Sequence, residues 1–256
     1  MTHQFEFLQQ RHVGRHRDND TAPGVSADTL NQHYASVSSD SAYQAPQCKV
    51  LATCEDLHVV SELEHIIIRN FLYSAITQPP SLLNFSDQFA FRPTRFTTAA
   101  LIAILHSITD LLFSNPYVIV LALDFGKAFD LVRQYTLLQK VAMLHIPDTI
   151  YNWLVDFFSG HCTRYQGLTS TMLDITATVV QGSAVEPVSY VINIADLNTL
   201  TSGNHIYKYA DDTYIVIPAG NAQSRATELN HVAQWVQMNN LQLNRAKTTE
   251  IIFSNC

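Results

Sequence analysis

Two adjacent carboxylates offer the first chemistry in this sequence. Asp211 and Asp212 lie between two short runs rich in Tyr, Ile and Val, in the stretch HIYKYADDTYIVI. This pattern predicts a β-hairpin with both acids at its tip. Because like charges at close range repel one another, the tip is either a solvated turn or the holder of something positively charged. Asp favours turns, so the pair taken alone fits an ordinary turn that binds no metal.

A third acid, Asp124, ends the run YVIVLALDF. Its continuous apolar and β-branched residues predict a strand that is buried on both faces. If this strand neighbours the hairpin, three carboxylates meet at one edge of a sheet. Three carboxylates at close range destabilise the fold unless a positive charge compensates them. Mg²⁺ is a suitable cation, because it prefers hard oxygen ligands of this kind. Two such ions would activate an attacking oxygen and stabilise a leaving one, which is the chemistry of phosphoryl transfer.

Most of the chain has the patterning of a folded domain. Apolar residues make up 47% of the 256 residues and charged residues 14%, which is enough to bury a sizeable core. Residues 1–47 are polar and are expected to be largely disordered, with one short helix in ADTLNQHYASV. The folded domain is expected over residues 48–256. Helices are predicted in SELEHIIIRNFLYSAI, TTAALIAILHSITDLLF, TLLQKVAML, TIYNWLVDFF, QGSAVEPVSYVINIADL and ATELNHVAQWVQMNN.

The predicted helices alternate irregularly with predicted strands. FSDQFAFRPTRF reads as a short extended segment, residues 161–180 as a pair of strands, and LQLN and EIIFS as short strands near the end of the chain. A mixed order with at least one hairpin favours an α+β fold, in which an antiparallel sheet carries helices packed on one face.

Several classes of protein are disfavoured by composition. The start MTHQFEFLQQRH has no signal-peptide core, and the apolar run YVIVLAL is far shorter than the roughly 20 residues of a membrane helix. An intracellular protein of the nucleus or cytoplasm, with no membrane partner, is therefore expected. Cys48, Cys54 and His58 match no familiar zinc spacing, so no zinc is expected. The net charge of −7 does not suggest a general nucleic-acid binder.

Six runs, in this order, carry a specific resemblance: DQFAFRPTRFTTAALI, VLALDFGKAFDLVR, IPDTIYNWLVDFFSG, VVQGSAVEP, YKYADDTYIVIPA and NNLQLNRAKTTEIIF. Over residues 61–256 the sequence resembles the reverse transcriptase domain of non-LTR (LINE-like) retrotransposons. The resemblance implies a right-hand polymerase fold with a palm and fingers. It also implies an RNA-directed DNA polymerase that uses an RNA template, a DNA primer and deoxynucleoside triphosphates, with two Mg²⁺ ions as cofactors and Mn²⁺ as a substitute.

The resemblance assigns roles around the acids. Asp124 matches the first metal-binding Asp of the palm, and Asp211 and Asp212 match the acidic pair of the YADD motif. Phe125 would offer its backbone carbonyl to the metal. Phe129 matches the aromatic gate under the sugar, which excludes a 2′-OH by its bulk; its alternative role is ordinary core.

Further roles concern the nucleotide and the template. Gln181 and Gly182 match the QG pair that contacts the incoming nucleotide and the template. Arg92 falls in the FRP run near the template path. Lys247 matches a Lys that would serve the pyrophosphate as an acid or as a counter-charge. Arg92 and Lys247 are equally compatible with solvated surface positions.

The sequence departs from the family pattern at several positions. Glu186 stands where a small residue, often Gly, precedes the Pro, and this extra carboxylate is expected to lower activity. Arg95 and Phe96 replace small residues after the FRP run, and Gly126 stands where Ser is usual.

Larger elements of the hand also differ. The basic run of the fingers is not found ahead of residue 61, so reduced fingers are expected, and the chain stops at Cys256 just after the palm, so no thumb is expected. These departures keep open a second reading, a catalytically impaired remnant that acts, if at all, as a non-enzymatic binding protein. A third reading, a metal-dependent phosphodiesterase, rests on the acids alone.

Overall fold

The computed structural model describes residues 8–9, 25–47, 49, 61–92, 95–160, 162–165, 168–173, 175–178 and 183–254. The predicted N-terminal helix is present as α1 (Ala27–Val37). It starts with a capping box, in which the Ser26 hydroxyl accepts from the Thr29 N–H and the Thr29 hydroxyl accepts from the Ser26 N–H. Apart from Leu8 and Gln9, the residues up to Gly24 lie outside the described residues, as do Cys48, Cys54 and His58. The disorder expected for residues 1–47 and the absence of zinc stay predictions.

Four strands form the central sheet. They are β2 (Tyr117–Leu123), β6 (His205–Tyr209), β7 (Asp212–Pro218) and β9 (Thr249–Ser254). Their order is β6-β7-β2-β9, and every pairing is antiparallel. The apolar run predicted to be buried on both faces is β2, which has a neighbour on each side.

Smaller strands lie outside this sheet. A short parallel pairing joins β1 (Leu8–Gln9) to β4 (Cys162–Tyr165), which also pairs with β5 (Leu168–Thr169). A two-residue strand directly after Asp124, β3 (Phe125–Gly126), pairs with β8 (Gln242–Leu243).

The helices follow the predicted segments closely. Their bounds are α2 Ser61–Ile67, α3 Tyr73–Thr77, α4 Thr97–Leu112, α5 Gln134–Met143, α6 Asp148–Phe157, α7 Val185–Asn193 and α8 Arg225–Met238. A π-helical turn at Ile68–Leu72 divides the first predicted helix into α2 and α3. A 3₁₀ turn at Ala219–Ser224 leads from β7 into α8.

The sheet is covered on both faces, which follows from the alternation of side chains along β2. Ile119, Leu121 and Leu123 belong to the main core, together with buried residues of α5 to α8. Val118 and Val120 point the other way and pack with residues of α4. The predicted α+β fold is confirmed, and it differs from the prediction in one detail, since α4 covers the second face. Trp153 and Trp235 are buried in the main core.

The N-terminal residues are tied to the domain. Arg133 makes a two-pronged ion pair with the buried carboxylate of Asp40, with Nε to Oδ2 at 2.6 Å and Nη2 to Oδ1 at 3.0 Å. Asn31 Nδ2 donates to the Thr171 carbonyl at 2.9 Å. The boundary predicted at residue 47 stays a prediction. Among the helices that the structure describes, none has the length and apolar character to cross a bilayer.

Candidate active site

Strand register brings the three predicted acids to one edge of the sheet. Leu123, the last residue of β2, pairs with Thr213 of β7, and Tyr209 of β6 pairs with Asp212. Asp124 directly follows Leu123, so it emerges beside the tip that carries Asp211 and Asp212. The expectation that β2 and the hairpin are neighbours is confirmed.

The hairpin tip has a tight two-residue turn. Ala210 and Asp211 connect β6 to β7, and Ala210 has a φ of 54°. A positive φ at the first turn position is typical of a type II′ hairpin turn, where Gly is the favoured residue. With its Cβ, Ala in this region costs about 1 kcal/mol or more. The backbone beside the acids is therefore held in a conformation that its own residue disfavours.

The charges of Asp124 and Asp211 affect the pKa of Asp212. Burial raises the pKa of Asp212, and the negative charges of Asp211 and Asp124 raise it further. Burial also raises the pKa of Tyr190 well above its usual range, with the charges of Asp211 and Asp212 adding to the effect. A cation at this edge would relieve the repulsion, and hard carboxylate oxygens suit a divalent metal in type.

The side chains are not gathered into a closed ligand shell. Within the described ranges, no group of three or more His, Cys, Asp or Glu side chains lies close enough together to hold a metal ion. The three carboxylates are the type of ligand that a divalent cation prefers, and their negative charges act on the same place. Their positions do not form a complete set of metal ligands.

Asp124 is anchored through its backbone. Its N–H donates to Thr248 Oγ1 at 3.4 Å, and its carbonyl accepts from the Asn244 N–H at 2.8 Å. Asn244 also starts the turn that contains Lys247, whose N–H donates to the Asn244 carbonyl at 3.2 Å. The structure therefore places the backbone of Lys247 in the turn that holds Asp124, with its side chain exposed.

Phe125 belongs to the main core, and Phe129 packs against it. Phe125 is buried, with its ring centroid 6.1 Å from that of Trp235. Phe129 is half-buried, and its ring centroid is 4.5 Å from that of Tyr190, the residue that senses both acids of the tip. This contact places Phe129 at the border between core and site, and its gate role stays a prediction.

Arg92 and Glu186, two further residues singled out from the sequence, make hydrogen bonds within the protein. Arg92 Nη1 donates to the Phe85 carbonyl, and burial, followed by the positive charge of Arg95, lowers the pKa of Arg92. Glu186 is in the first turn of α7, where its N–H donates to the carbonyl and the hydroxyl of Ser183. Gln181 and Gly182 lie outside the described residues.

One buried ion pair beside the tip was missed from sequence. Lys208 Nζ lies 2.9 Å from Asp87 Oδ2 and donates to the Ile194 carbonyl at 3.1 Å, just past the C-terminus of α7. Burial lowers the pKa of Lys208 and raises that of Asp87, although each charge favours the other. A Lys at an inward position of the strand HIYKY was the available hint, because strand residues alternate between the two faces.

Comparison with known proteins places the chain in a family. The profile of "Reverse transcriptase (RNA-dependent DNA polymerase)" matches residues 66–252. The "RNA-directed DNA polymerase from mobile element jockey" of Drosophila melanogaster is 25% identical over 181 residues, covering 66% of this chain and 20% of that protein. The "Probable RNA-directed DNA polymerase from transposon X-element" of the same organism is 24% identical over 177 residues, 65% of this chain and 19% of that protein. The chain thus spans about a fifth of the length of these relatives.

Solved structures give a consistent fold. Apo telomerase from Candida Tropicalis matches with a TM-score of 0.57 and 12% identity, over 75% of this chain and 37% of that one. Telomerase from the same organism, in complex with a TWJ fragment of telomeric RNA, matches with a TM-score of 0.54 and 13% identity, over 82% and 38%. These identities show the fold alone, and the predicted palm-like architecture is confirmed. With the relatives from mobile elements, the predicted resemblance to non-LTR retrotransposon enzymes is confirmed as well, and the chain belongs to the reverse transcriptase (RNA-dependent DNA polymerase) family.

Proposed function

We propose that this domain catalyses template-directed addition of deoxynucleotides to a primer 3′-OH, on an RNA template. One observation supports the site above all: the register of β2 and β7 brings Asp124 to the tip that carries Asp211 and Asp212. In the reaction, the 3′-oxygen forms a bond to the α-phosphorus, the bond to pyrophosphate breaks, and the proton of the 3′-OH passes to solvent water.

Asp124, Asp211 and Asp212 would hold two Mg²⁺ ions, with Mn²⁺ as a substitute and the Phe125 carbonyl as a further ligand. The ions, when bound, would supply Lewis-acid stabilisation of the charge on the attacking and leaving oxygens. The protein supplies three carboxylates whose mutual repulsion already raises the pKa of Asp212. This repulsion favours cation binding, because a cation removes it.

The surrounding residues would select and orient the substrates. Phe129, packed on Tyr190, would exclude a ribose 2′-OH by its bulk. Gln181 and Gly182 would contact the nucleotide and the template, and Arg92 would lie near the template path. Lys247 would donate a proton or a positive charge to the departing pyrophosphate.

Primer extension tests this proposal. Wild-type protein on an RNA template with a DNA primer, in Mg²⁺ and in Mn²⁺, should extend the primer, and the double variant Asp211→Asn/Asp212→Asn should not. Omitting the template is a further control, since hydrolysis or transfer without a template would favour the phosphodiesterase reading. Equal signal from the wild type and the double variant would reject polymerase activity for this chain.

A second candidate function is a folded remnant that acts, if at all, as a non-enzymatic binding protein. The specific observation that favours it is that several basic residues form ion pairs within the protein. Of fifteen Lys and Arg residues, at least five form ion pairs with acids of the same chain: Lys49, Arg133, Lys140, Lys208 and Arg225. Lys140 and Lys208 are buried, so they are unavailable to phosphates.

A binding titration with primer–template at several salt concentrations separates the two candidates. A polymerase core should bind the duplex and lose affinity as salt rises, because Lys and Arg release counterions from phosphates. A remnant without nucleic-acid function should show negligible binding at every salt concentration.

A further inference from the structure

Something outside the hairpin must hold its tip, because Ala210 is in a left-handed conformation that Ala disfavours. Ala210 directly precedes Asp211, so a change in its φ would swing both acids. Ala210 is also buried, which leaves its N–H dependent on a protein partner.

That partner is the side chain of Gln88. Its Oε1 accepts from the Ala210 N–H at 3.1 Å and from the Ala90 N–H at 2.9 Å. Gln88 is 1% exposed, and no partner for its Nε2 is found within the described residues. Because the oxygen serves two N–H donors, the amide has only one orientation that satisfies both. The side-chain oxygen of Gln88 is therefore the atom that holds the Ala210 N–H.

The segment around Gln88 is itself fixed to β6. Phe89 N–H donates to the Lys208 carbonyl, and Lys208 N–H donates to the Asp87 carbonyl, both at 2.8 Å. Gln88 and Lys208 form a parallel β-bridge. Residues 87–89 thus lie along the outer edge of the sheet beside β6, and the Lys208–Asp87 ion pair adds a side-chain link between the two segments.

We propose that Gln88 is a positioning residue for the acidic tip: by accepting the Ala210 N–H, it holds the left-handed turn and so fixes the Asp211 and Asp212 carboxylates for metal binding. The metal-binding part of this inference rests on the proposed function. The turn-holding part does not, because it concerns only the conformation of Ala210.

The test uses four variants of the whole chain. Gln88→Met keeps the length of the side chain and removes the acceptor. Ala210→Gly supplies a residue that adopts positive φ without penalty, and the double variant combines the two. Gln134→Met is the matched control, since Gln134 is also 1% exposed and donates to the Thr178 carbonyl away from the tip.

Two measurements are made on each variant. Hydrogen exchange at the Ala210 amide, followed by NMR, should be at least about tenfold faster in Gln88→Met and unchanged in Gln134→Met. Mn²⁺ affinity, measured by the paramagnetic signal of the free ion, should fall about tenfold in Gln88→Met, the loss expected for one buried hydrogen bond. In the Ala210→Gly background, Gln88→Met should weaken Mn²⁺ by less than about threefold, because Gly holds the turn unaided.

The outcomes are distinct. Unchanged exchange at Ala210 in Gln88→Met would overturn the turn-holding role. Faster exchange with unchanged Mn²⁺ affinity, or an equal loss of affinity in both backgrounds, would overturn the positioning role. If neither the wild type nor any variant binds Mn²⁺, the proposed metal site is wrong, and the positioning role is wrong with it. The exchange rate at the Ala210 amide then decides by itself whether Gln88 holds the turn.

Discussion

The pKa of Asp212 reflects the negative charge gathered at the site. Its pKa is raised by burial and by the charges of Asp211 and Asp124. A folded-state pKa above the unfolded value means that the folded state binds more protons in the interval between them. Stability therefore falls as pH rises through that interval, and the ionised site is a local cost to the fold. The same cost is the driving force for binding a cation.

We predict that Asp124→Asn lowers the pKa of Asp212 toward its ordinary value, because one of the two neighbouring charges is gone. At neutral pH the variant should also be more stable, by only a few tenths of a kcal/mol because solvent screens these charges. NMR titration of the Asp212 carboxyl carbon measures the first effect and urea unfolding the second. Asp110→Asn, an exposed acid near His106, is the control and should leave the pKa of Asp212 unchanged.

Glu186 tests whether an extra carboxylate impairs the site. We predict that Glu186→Gly lowers KM for the deoxynucleotide about fivefold in primer extension, the size of one like-charge contact in water. Glu186→Gln removes the charge and keeps the bulk, so it separates repulsion from crowding. If neither variant gains rate or nucleotide affinity, Glu186 is not the cause of impaired activity.

At the scale of elements, α8 fixes the loop that leads into the hairpin. Glu228, fully buried on α8, accepts from the Leu200 and Thr201 N–H groups at 3.0 and 2.9 Å, and from Asn204 Nδ2 at 2.8 Å. Burial alone would raise the pKa of Glu228, but these hydrogen bonds outweigh it and lower the pKa. One carboxylate thus sets the position at which β6 begins.

We predict that Glu228→Gln lowers the free energy of unfolding by about 2 kcal/mol at pH 7, because an amide cannot accept all of these donors. A lowered folded-state pKa gives stability that is present above the unfolded value, near 4.5, and is lost as pH falls through the folded value. The gap between wild type and variant should therefore close in acid, which urea unfolding at pH 7 and pH 3 would show. Glu250→Gln, which breaks the partly exposed pair with Arg225, should cost less than about 1 kcal/mol. A constant gap at both pH values would contradict the prediction.

At the scale of the whole molecule, the sequence predicted what local pattern controls. Apolar periodicity located α4, α8 and β2, and the position of Asp124 at a strand end predicted its meeting with Asp212. Buried polar partners were not predictable, because Lys208 and Asp87 are far apart in sequence and only the fold brings them together. The second covered face of the sheet was missed because apolar patterning in α4 does not say which face it packs against.

Two buried lysines converge on one helix end in the interior. Lys140 Nζ donates to the Asn193 carbonyl and lies 2.7 Å from Asp196 Oδ1, while Lys208 Nζ donates to the Ile194 carbonyl. Cations are favoured at a helix C-terminus. Burial nevertheless lowers the pKa of Lys140 to about 8, against the attraction of Asp196.

We predict that the free energy of unfolding rises by about 2 kcal/mol between pH 8 and pH 10, because the unfolded chain keeps the Lys140 proton that the folded chain has released. Above pH 10 the trend should reverse, since the raised pKa of Tyr190 makes the folded state the one that keeps a proton. Denaturant unfolding at half-unit pH steps measures the slope. Lys140→Met should reduce this slope, with the lowered pKa of Lys208 contributing to what remains, and Lys127→Met, at an exposed position, should leave it unchanged. Equal slopes in wild type and Lys140→Met would refute the assignment.

The strand order β6-β7-β2-β9 has a consequence for synthesis of the chain. β2 emerges from the ribosome long before β7 and β9, which supply both of its hydrogen-bonded neighbours. Until they arrive, YVIVLAL is an uncharged apolar segment with two open edges, the kind of sequence that aggregates. α4 precedes it and is available at once to cover one face. The other face and both edges of β2 stay uncovered until the later segments are synthesised, so the edge that carries the acids is assembled late. Translation speed, or chaperones acting in that interval, would therefore govern the yield of folded protein.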